Sequence, residues 1–353
     1  MKIGILTFHH SNYNYGAVLQ TFSIYKLIET LGYDSYIINY TPSVYTVRKK
    51  TAALIVAMLG FEFEKFRRHN IPRILHKTET ADELKKLNEI LDGFVVGSDQ
   101  VWRYRSDMNS LYKYFFDFVD DKKTKIAYGA SFGVDYWDAD KETTKNVKIL
   151  IKRFNSISVR EESGVKICKD IFGVESVNVL DPTLLLDKKY FHELADKQTK
   201  PTKPKYLAYM FLDDNKQNEL FFRKIASSND LKFVGINGKK VVSKKNFFLF
   251  KSVNRWLSYV KNAEIVITDS FHCTVFSIIF RKKFICIANQ HRGVTRLENL
   301  LKRLNLESRF CSDINKFEEK KIVSEIDYEK VEQILAKEKM KSINFLKNSL
   351  AHI

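Results

Sequence analysis

Short apolar runs alternate with amphipathic stretches along almost the whole chain. Runs rich in β-branched residues, bounded by glycine or polar residues, predict buried strands, and these lie at Ile3–Phe8, Tyr36–Tyr40, Phe94–Val96, Lys125–Ser131, Ser156–Val159, Val177–Leu180, Tyr206–Phe211, Phe233–Ile236, Ile265–Ile267 and Phe284–Ala288. Apolar residues with helical spacing predict helices at Tyr15–Leu31, Ala81–Leu91, Thr143–Arg153, Lys216–Ser227, Val253–Asn262 and Asp327–Ile353. Strands that alternate with helices predict an α/β fold with parallel sheets.

The length of 353 residues favours two domains over one core. A lysine- and proline-containing segment, Lys197–Lys205, is the predicted joint. We therefore expect an N-terminal Rossmann-like domain over 1–196 with a basic insertion at about 42–80. A C-terminal Rossmann-like domain is expected over 205–326, followed by a terminal helix over 327–353. Two such domains facing a cleft form the GT-B-like architecture, in which strand carboxyl ends line the gap.

One histidine stands where a buried strand is predicted to turn into a helix. The apolar run Ile265–Ile267 is followed by the cap-type residues Thr268, Asp269 and Ser270, and then by an apolar helix. Ligands of open α/β sheets bind at strand carboxyl ends, and N–H groups at a helix start attract anions. The pattern predicts that His272 lies at a ligand-binding edge. The competing interpretation is a histidine buried in the core.

Four further polar clusters fall at predicted strand ends. They are His9–Gln20, Gly97–Trp102, Ser158–Ser163 and Asp181–Thr183. None contains the GxGxxG fingerprint, so dinucleotide binding is poorly supported. Each cluster alone has a structural explanation, with Asp99 as a cap, Arg160 paired with a nearby carboxylate, and Asp-Pro-Thr as a turn and helix start. Five clusters at strand ends together favour a functional edge.

The chain is strongly basic, with a net charge of +17. Val47–Lys77 alone carries eight Lys or Arg against two Glu. Such a stripe attracts polyanions or anionic lipid headgroups, and a lysine-rich but functionally neutral surface is the other interpretation. No nucleic-acid-binding module is found, so nucleic acid is not an expected partner. The apolar stretch Ala52–Gly60 is too short to cross a bilayer. It is interpreted as a core or lid helix, and a position in the membrane interface is the alternative.

Cysteine usage and the N-terminus indicate a cytoplasmic protein. Met1–Phe8 begins as a strand rather than a signal peptide. The four cysteines lack CxxC spacing and are expected to be reduced structural residues. No His, Cys and Asp grouping has metal-ligand spacing, so neither a metal nor a cofactor is expected. The sequence Asp138-Ala139-Asp140 resembles a glycosyltransferase DxD but is interpreted as a helix cap.

The strand-end motifs resemble those of the polysaccharide pyruvyl transferase family from the first strand to about Arg309. The matching segments are Asn14–Gln20, Gly97–Trp102, Tyr128–Gly133, Ser158–Ser163, Leu180–Leu185, Thr268–Thr274 and the region of Arg296. The resemblance implies a GT-B-like fold and transfer of pyruvate from phosphoenolpyruvate to two hydroxyls of a sugar. The sugar would belong to a cell-surface polysaccharide, such as a capsule or exopolysaccharide, or to its lipid-linked precursor.

The resemblance also implies roles for individual residues. Arg160 matches an arginine that resembles a phosphoenolpyruvate ligand, and His272 matches a histidine implicated in donor binding and catalysis. Some members have Arg-Leu-His where this chain has Ser270-Phe271-His272, so either Arg292 or Arg296 is expected to replace the missing guanidinium. The other route to phosphate binding is the helix start, where Ser270 lies, together with lysine side chains.

Phosphoenolpyruvate is a compact trianion, and ketal formation needs an acid and a base. His272, Asp99 and Arg160 are therefore the expected catalytic residues, with donor binding itself charging the imidazole of His272. Asn14 and Gln20 are expected to contact acceptor hydroxyls, and Trp102 is expected to offer an apolar face to the sugar. Two alternatives stay open. One is a GT-B glycosyltransferase with a nucleotide-sugar donor, and the other is a basic protein that binds polyanions or the inner face of the membrane.

Overall fold

The computed structural model describes residues 1–41, 61–105, 110–198, 205–213, 216–241, 247–289 and 293–353. These residues form two compact units. The first contains residues 1–41, Arg67–Leu186 and Ala336–Ile353, and the second contains residues 61–66 and Asp187–Leu335. The predicted α/β class is confirmed, because each unit holds one parallel sheet with helices in its connections.

The sheet of the first unit has six strands in the order β2-β1-β3-β4-β5-β6, and every neighbouring pair is parallel. The strands are β1 (Lys2–Leu6), β2 (Asp34–Ile37), β3 (Gly93–Val96), β4 (Thr124–Ala130), β5 (Ser156–Val159) and β6 (Val177–Asn178). Both β3 and β4 are buried over their full length, as expected for central strands with both faces covered. All six carboxyl ends therefore reach one edge of this sheet.

Helices and turns connect these strands. They are α1 (Tyr15–Thr30), a helix over residues 61–70 (α2), α3 (Ala81–Lys85), α4 (Leu87–Ile90), α5 (Lys141–Ile151), α6 (Glu162–Ile167) and α7 (Pro182–Leu185). The side chain of Asp140 caps α5 by accepting the Thr143 N–H at 2.8 Å. The interpretation of Asp138-Ala139-Asp140 as a helix cap is confirmed.

The sheet of the second unit has the order β13-β12-β11-β7-β8, again with parallel neighbours. Its strands are β7 (Tyr206–Met210), β8 (Lys232–Gly235), β11 (Ile265–Thr268), β12 (Lys283–Ile287) and β13 (Phe310–Cys311). An antiparallel pair, β9 (Gly238–Val241) and β10 (Phe247–Phe250), was not predicted from the sequence. The helices are α8 (Lys188–Asp196), α9 (Lys216–Ser228), α10 (Val253–Asn262), α11 (Phe271–Ile279), α12 (Thr295–Arg303) and α13 (Lys320–Val323).

The boundary between the units lies earlier in the chain than predicted. Helix α8 belongs to the second unit rather than to a domain ending at residue 196. The reason is its packing, because the Phe191 ring lies edge-to-face against Phe276 of α11 at 5.0 Å. Asp196 at its end also pairs with Lys261 of α10 at 2.7 Å. The predicted joint, Lys197–Lys205, lies mostly outside the described residues.

The last helix, α14 (Tyr328–Leu350), was predicted as one helix, and it is one. It is not a separate domain, because residues up to Leu335 belong to the second unit and residues from Ala336 to the first. Within the first unit, its Ser342 Oγ accepts the Leu180 N–H at 3.0 Å. Leu346 and Leu350 are fully buried. The apolar residues at this end of the helix therefore pack within the first unit.

Only part of the basic insertion at 42–80 can be described. The apolar stretch Ala52–Gly60 lies outside the described residues, whereas 61–80 is described. In the part of the chain that the structure covers, no helix has both the length and the apolar character needed to span a bilayer.

Candidate active site

The loop after β3 presents Asp99 at the carboxyl edge of the first sheet. Gly97 has φ +107°, and a Cβ there would collide with the backbone oxygen of Tyr128, so only glycine suits this position. Asp99 has φ +79°, a left-handed conformation that costs a side-chain-bearing residue about 1 kcal/mol. Such strain persists where surrounding contacts hold it, and it is often found at functional sites.

Arg160 follows β5 and lies between two carboxylates. Its Nη1 donates to Asp181 Oδ2 at 2.7 Å, and its Nη2 lies 3.5 Å from Asp99 Oδ1. The Arg160 side chain is 2% exposed. Burial lowers its pKa, but the charges of Asp181, Asp99 and Glu161 outweigh that effect, so the net direction is upward. Arg160 is therefore a permanently charged centre of this edge.

Asp181 is both the cap of a helix and the ion-pair partner of Arg160. Its Oδ1 accepts the backbone N–H and the hydroxyl of Thr183, which caps α7, and Pro182 occupies the first helical position. Its Oδ2 accepts from Arg160 and, at 3.4 Å, from Ser98 Oγ. The segment is a helix start and also the ion-pair partner of Arg160.

Glu161 is a site residue that sequence reasoning missed. It is fully buried and accepts from Ser131 Oγ at 2.9 Å and from the Phe132 N–H at 2.8 Å. It thereby shapes the loop after β4 next to Arg160. The signal was present, because a glutamate directly after a buried strand needs partners in the interior.

The three predicted acceptor residues have structural contacts in the first unit. Asn14 caps α1, with its Oδ1 accepting the Ala17 N–H at 3.1 Å. Gln20 is fully buried and donates to Thr7 Oγ1 at 2.8 Å. Trp102 is also fully buried, stacks on Phe115 at 4.9 Å and donates its indole N–H to the Tyr114 carbonyl. The rings around Trp102 occupy the apolar face that a sugar would need.

Arg67 connects the basic insertion to the loop after β1. It is 4% exposed and donates to the carbonyl of Ser11 at 2.9 Å and that of His9 at 3.3 Å. It also donates to Asn12 Oδ1. Arg67 thus holds a strand-end loop rather than facing solvent with Lys65 and Arg68, which are exposed.

In the second unit, β11 leads into α11 as the sequence predicted. Thr268 Oγ1 donates to the Met210 carbonyl at 2.8 Å and accepts the Ser270 N–H at 3.0 Å. Ser270 caps α11 by accepting the Cys273 N–H. His272 therefore lies in the first turn of α11, 8% exposed, with its ring edge-to-face against Phe271.

Arg296 is brought to this helix start. Its guanidinium carbon lies 5.7 Å from the ring centroid of Phe271, the residue between Ser270 and His272. Arg296 is 7% exposed, so its charge is held within the unit. Arg292, the other candidate, lies outside the described residues.

Asp269, Asn289 and Asp213 form a second polar group that the sequence did not single out. Asn289 Nδ2 donates to Asp269 Oδ2 at 2.7 Å and to Asp213 Oδ2 at 2.9 Å. Burial is the main cause that raises the pKa of Asp269, and the charge of Asp213 adds to it. The sequence did contain a signal for this group, because each of the three residues follows a predicted strand of the second half.

The cysteines do not supply a thiolate. All four are free and buried, and burial raises the pKa of Cys273 to about 12. A Cys273 nucleophile beside His272 would be protonated at neutral pH. The chemistry available at these edges is therefore that of carboxylates, guanidinium groups and an imidazole.

The fold is similar to that of enzymes acting on sugar nucleotides. UDP-GlcNAc 2-epimerase from Neisseria meningitidis, bound to UDP-GlcNAc, has a TM-score of 0.55 at 9% identity, with 100% of both chains covered. The UDP-GlcNAc 2-epimerase from Methanocaldococcus jannaschii has a TM-score of 0.52 at 13% identity, with 95% of this chain and 93% of that chain covered. At these identities the likeness shows the fold alone, which is GT-B-like as predicted.

Sequence comparison identifies the family. No curated protein matches the chain. The family model described as polysaccharide pyruvyl transferase matches residues 14–291, a range that includes Asp99, Arg160 and His272. The predicted resemblance is confirmed, and the chain belongs to the polysaccharide pyruvyl transferase family of transferase enzymes.

Proposed function

We propose that this transferase moves the pyruvate moiety of phosphoenolpyruvate onto two hydroxyls of one sugar, forming a cyclic ketal. In this reaction C3 of the donor gains a proton, and C2 forms two C–O bonds to the sugar. The C2–O bond to phosphate breaks, and the proton of the second hydroxyl leaves with the phosphate. The reaction needs an anion site, an acid and a base, and no change in oxidation state occurs.

The observation that carries the donor proposal is the position of Arg296. Its guanidinium carbon is 5.7 Å from the Phe271 ring, at the start of α11. A helix start attracts anions through its N–H groups, and a guanidinium binds carboxylate and phosphate through paired N–H donors. We infer that Arg296 supplies the charge that some members of the family place at the position of Ser270. In this chain Ser270 instead caps the helix.

His272 is the proposed acid or phosphate clamp. It lies in the first turn of the same helix and is 8% exposed. The proposed role arises only in the complex with the trianionic donor, which is proposed to bind at the same helix start. Loss of the imidazole should therefore reduce turnover without removing the fold.

The first unit is proposed to supply Asp99 and Arg160. Asp99 is the candidate base for a sugar hydroxyl, because its carboxylate is held in a strained strand-end loop. Arg160 Nη2 lies 3.5 Å from that carboxylate, and Arg160 is proposed as a further donor ligand, since a guanidinium has five N–H groups and can serve several anions. Gln20 and Trp102 are fully buried, so we do not include them among the proposed acceptor contacts.

The acceptor is proposed to be a hexose unit of a surface polysaccharide, a capsule or exopolysaccharide, or of its lipid-linked precursor. Asn14 is the exposed polar residue of the first helix start. Exposed Lys65 and Arg68 on α2 are proposed to contact anionic headgroups at the inner face of the membrane. Arg67 takes no part in that surface because it is buried. The protein is thus proposed to act in the cytoplasm, in part at the membrane.

A glycosyltransferase reaction with a nucleotide-sugar donor is the second candidate. It is favoured by the GT-B-like fold shared with enzymes of sugar nucleotides. The two candidates differ in their leaving group, because pyruvyl transfer releases inorganic phosphate and glycosyl transfer releases a nucleotide.

The deciding experiment uses mass spectrometry of surface glycans and their lipid-linked precursors from cells with and without the protein. One ketal-linked pyruvate on a hexose, lost with the protein, supports the proposal. Purified protein should release phosphate from phosphoenolpyruvate in the presence of that acceptor. A hexose difference with nucleotide release would establish the second candidate instead.

A further inference from the structure

In the second unit, the side-chain amide of Asn289 donates hydrogen bonds to two carboxylates that follow different strands. Asn289 follows β12, Asp269 follows β11 and Asp213 lies beyond β7. The Asn289 Nδ2 atom is 2.7 Å from Asp269 Oδ2 and 2.9 Å from Asp213 Oδ2. Two contacts match the two hydrogens of an amide nitrogen. We name this arrangement the Asn289 clasp.

The Asn289 clasp holds the segment that leads into α11 in place. Asp269 Oδ1 also accepts the Leu212 N–H at 2.8 Å, so the carboxylate is held from β7 as well as from Asn289. Asp269 is 7% exposed and directly precedes Ser270, the cap of α11. Any movement of Asp269 would therefore be passed to Ser270 and to the first turn that carries His272.

We propose that Asn289 is a positioning residue that holds the start of α11, and with it His272, through Asp269. Its catalytic consequence rests on the proposed function. Without the amide, the buried Asp269 and the half-buried Asp213 would face each other without their shared donor, and their repulsion would push the β11 loop outward. Both amide hydrogens are directed to carboxylates, so Asn289 acts through Asp269 and not on the donor itself.

The first test measures local order rather than activity. Asn289→Ala should accelerate amide hydrogen exchange over residues 268–274 by about tenfold, because one charge-assisted contact to the loop is lost. Exchange in β8 should stay unchanged. The matched control is Asn262→Ala in the same unit, whose Nδ2 donates to the Ser258 carbonyl at 2.8 Å. Unchanged exchange over 268–274 in Asn289→Ala would overturn the proposal.

The second test uses charge. Asn289→Asp brings a third carboxylate to Asp213 and Asp269, and a proton on one of the three would replace the amide donor. The activity of Asn289→Asp relative to the wild type should therefore rise as the pH is lowered, because burial and the like charge of Asp213 raise the pKa of Asp269. A pH-independent ratio would contradict the positioning role.

The third test separates rate from binding. Asn289→Ala should lower kcat by about tenfold and change the KM for phosphoenolpyruvate by less than about threefold. If Asn289→Ala does not fold, Asp213→Ala removes one of the two contacts, with an expected acceleration of exchange of about threefold. Accelerated exchange with no pyruvyl transfer by the wild type supports the clasp and rejects the proposed function. Pyruvyl transfer with unaffected exchange and kcat rejects the clasp alone.

Discussion

Arg160 and Asp181 form a hydrogen-bonded ion pair in the interior of the first unit. Arg160 Nη1 lies 2.7 Å from Asp181 Oδ2, and the two side chains are 2% and 0% exposed. Asp99 Oδ1 is 3.5 Å from the same guanidinium. Charges so far from water are stable only when paired. The pair therefore ties the strand end after β5 to the start of α7.

Removal of Asp181's charge should destabilise the protein strongly. Asp181→Asn leaves Arg160 buried with less compensation, which costs about 3–5 kcal/mol. Urea unfolding at neutral pH measures this change. The control is Arg223→Gln, which breaks an exposed pair with Glu219 and should cost less than about 1 kcal/mol. Equal effects of both substitutions would show that the Arg160 pair is not the main contributor.

His272→Asn should reduce turnover by at least about 100-fold, the usual contribution of a positioned acid or base. Phosphate release from phosphoenolpyruvate with the unmodified hexose acceptor is the assay. His76→Asn changes an exposed histidine and should leave turnover unaffected. Turnover within about threefold of the wild type in His272→Asn would remove this residue from the mechanism, which needs a larger loss.

Arg296→Ala should weaken phosphoenolpyruvate binding by about 10- to 100-fold, the range for one contact between charged groups. The double variant Ser270→Arg with Arg296→Ala should recover part of that affinity, because the guanidinium returns to the helix start. Loss of the Ser270 cap costs about 1 kcal/mol of stability. Isothermal titration calorimetry with phosphoenolpyruvate reports both effects.

The matched control for Arg296 is Arg303→Ala at the other end of α12, which should bind phosphoenolpyruvate as the wild type does. If Arg296→Ala binds normally, the donor charge comes from elsewhere. If Arg296→Ala and the double variant both bind phosphoenolpyruvate weakly, an arginine at position 270 does not replace Arg296. In that case Arg296 acts through a geometry that position 270 does not share.

The basic residues of α2 should have two different roles, one in membrane binding and one in stability. Lys65→Glu with Arg68→Glu should lower binding to vesicles containing anionic lipid and change stability by less than about 0.5 kcal/mol, since both side chains are exposed. Arg67→Ala should instead cost about 3 kcal/mol, because the carbonyls of His9 and Ser11 lose their donor in a buried or partly buried setting. Vesicle co-sedimentation and thermal unfolding distinguish the two, and a stable Arg67→Ala would contradict its structural role.

The free energy of unfolding should fall when the pH is lowered, and His10 is the expected cause. Burial, followed by the charges of His9 and Arg67, lowers the pKa of His10 from 6.5 to about 4. The folded-state pKa lies below the unfolded value, so this contribution is fully present above pH 6.5 and is lost as the pH falls towards 4. The loss amounts to at most about 3 kcal/mol. Urea unfolding at pH 7.5 and 5 should show a smaller difference for His10→Gln than for the wild type, and an equal difference would refute it.

Local sequence patterns located the elements and most strand-end residues. The β-branched run Ile265–Ile267, followed by cap residues, placed β11 and α11 correctly and set His272 in the first helical turn. The spacing of apolar residues and the capping residues of a helix are local properties, so a single segment of sequence is enough to show them. The same logic brought Asp99 and Arg160 to one edge, since parallel strands share their carboxyl ends.

The choice of partners required the tertiary structure. Arg160 had several candidate carboxylates in the sequence, and strand order decided that Asp181 and Asp99 are the ones beside it. Trp102 had the composition of a sugar-stacking residue, but long-range packing against Phe115 buried it. Asn289 had no local signal beyond its place after a strand. Contacts between residues far apart in the chain depend on which strands become neighbours, and no single segment carries that information.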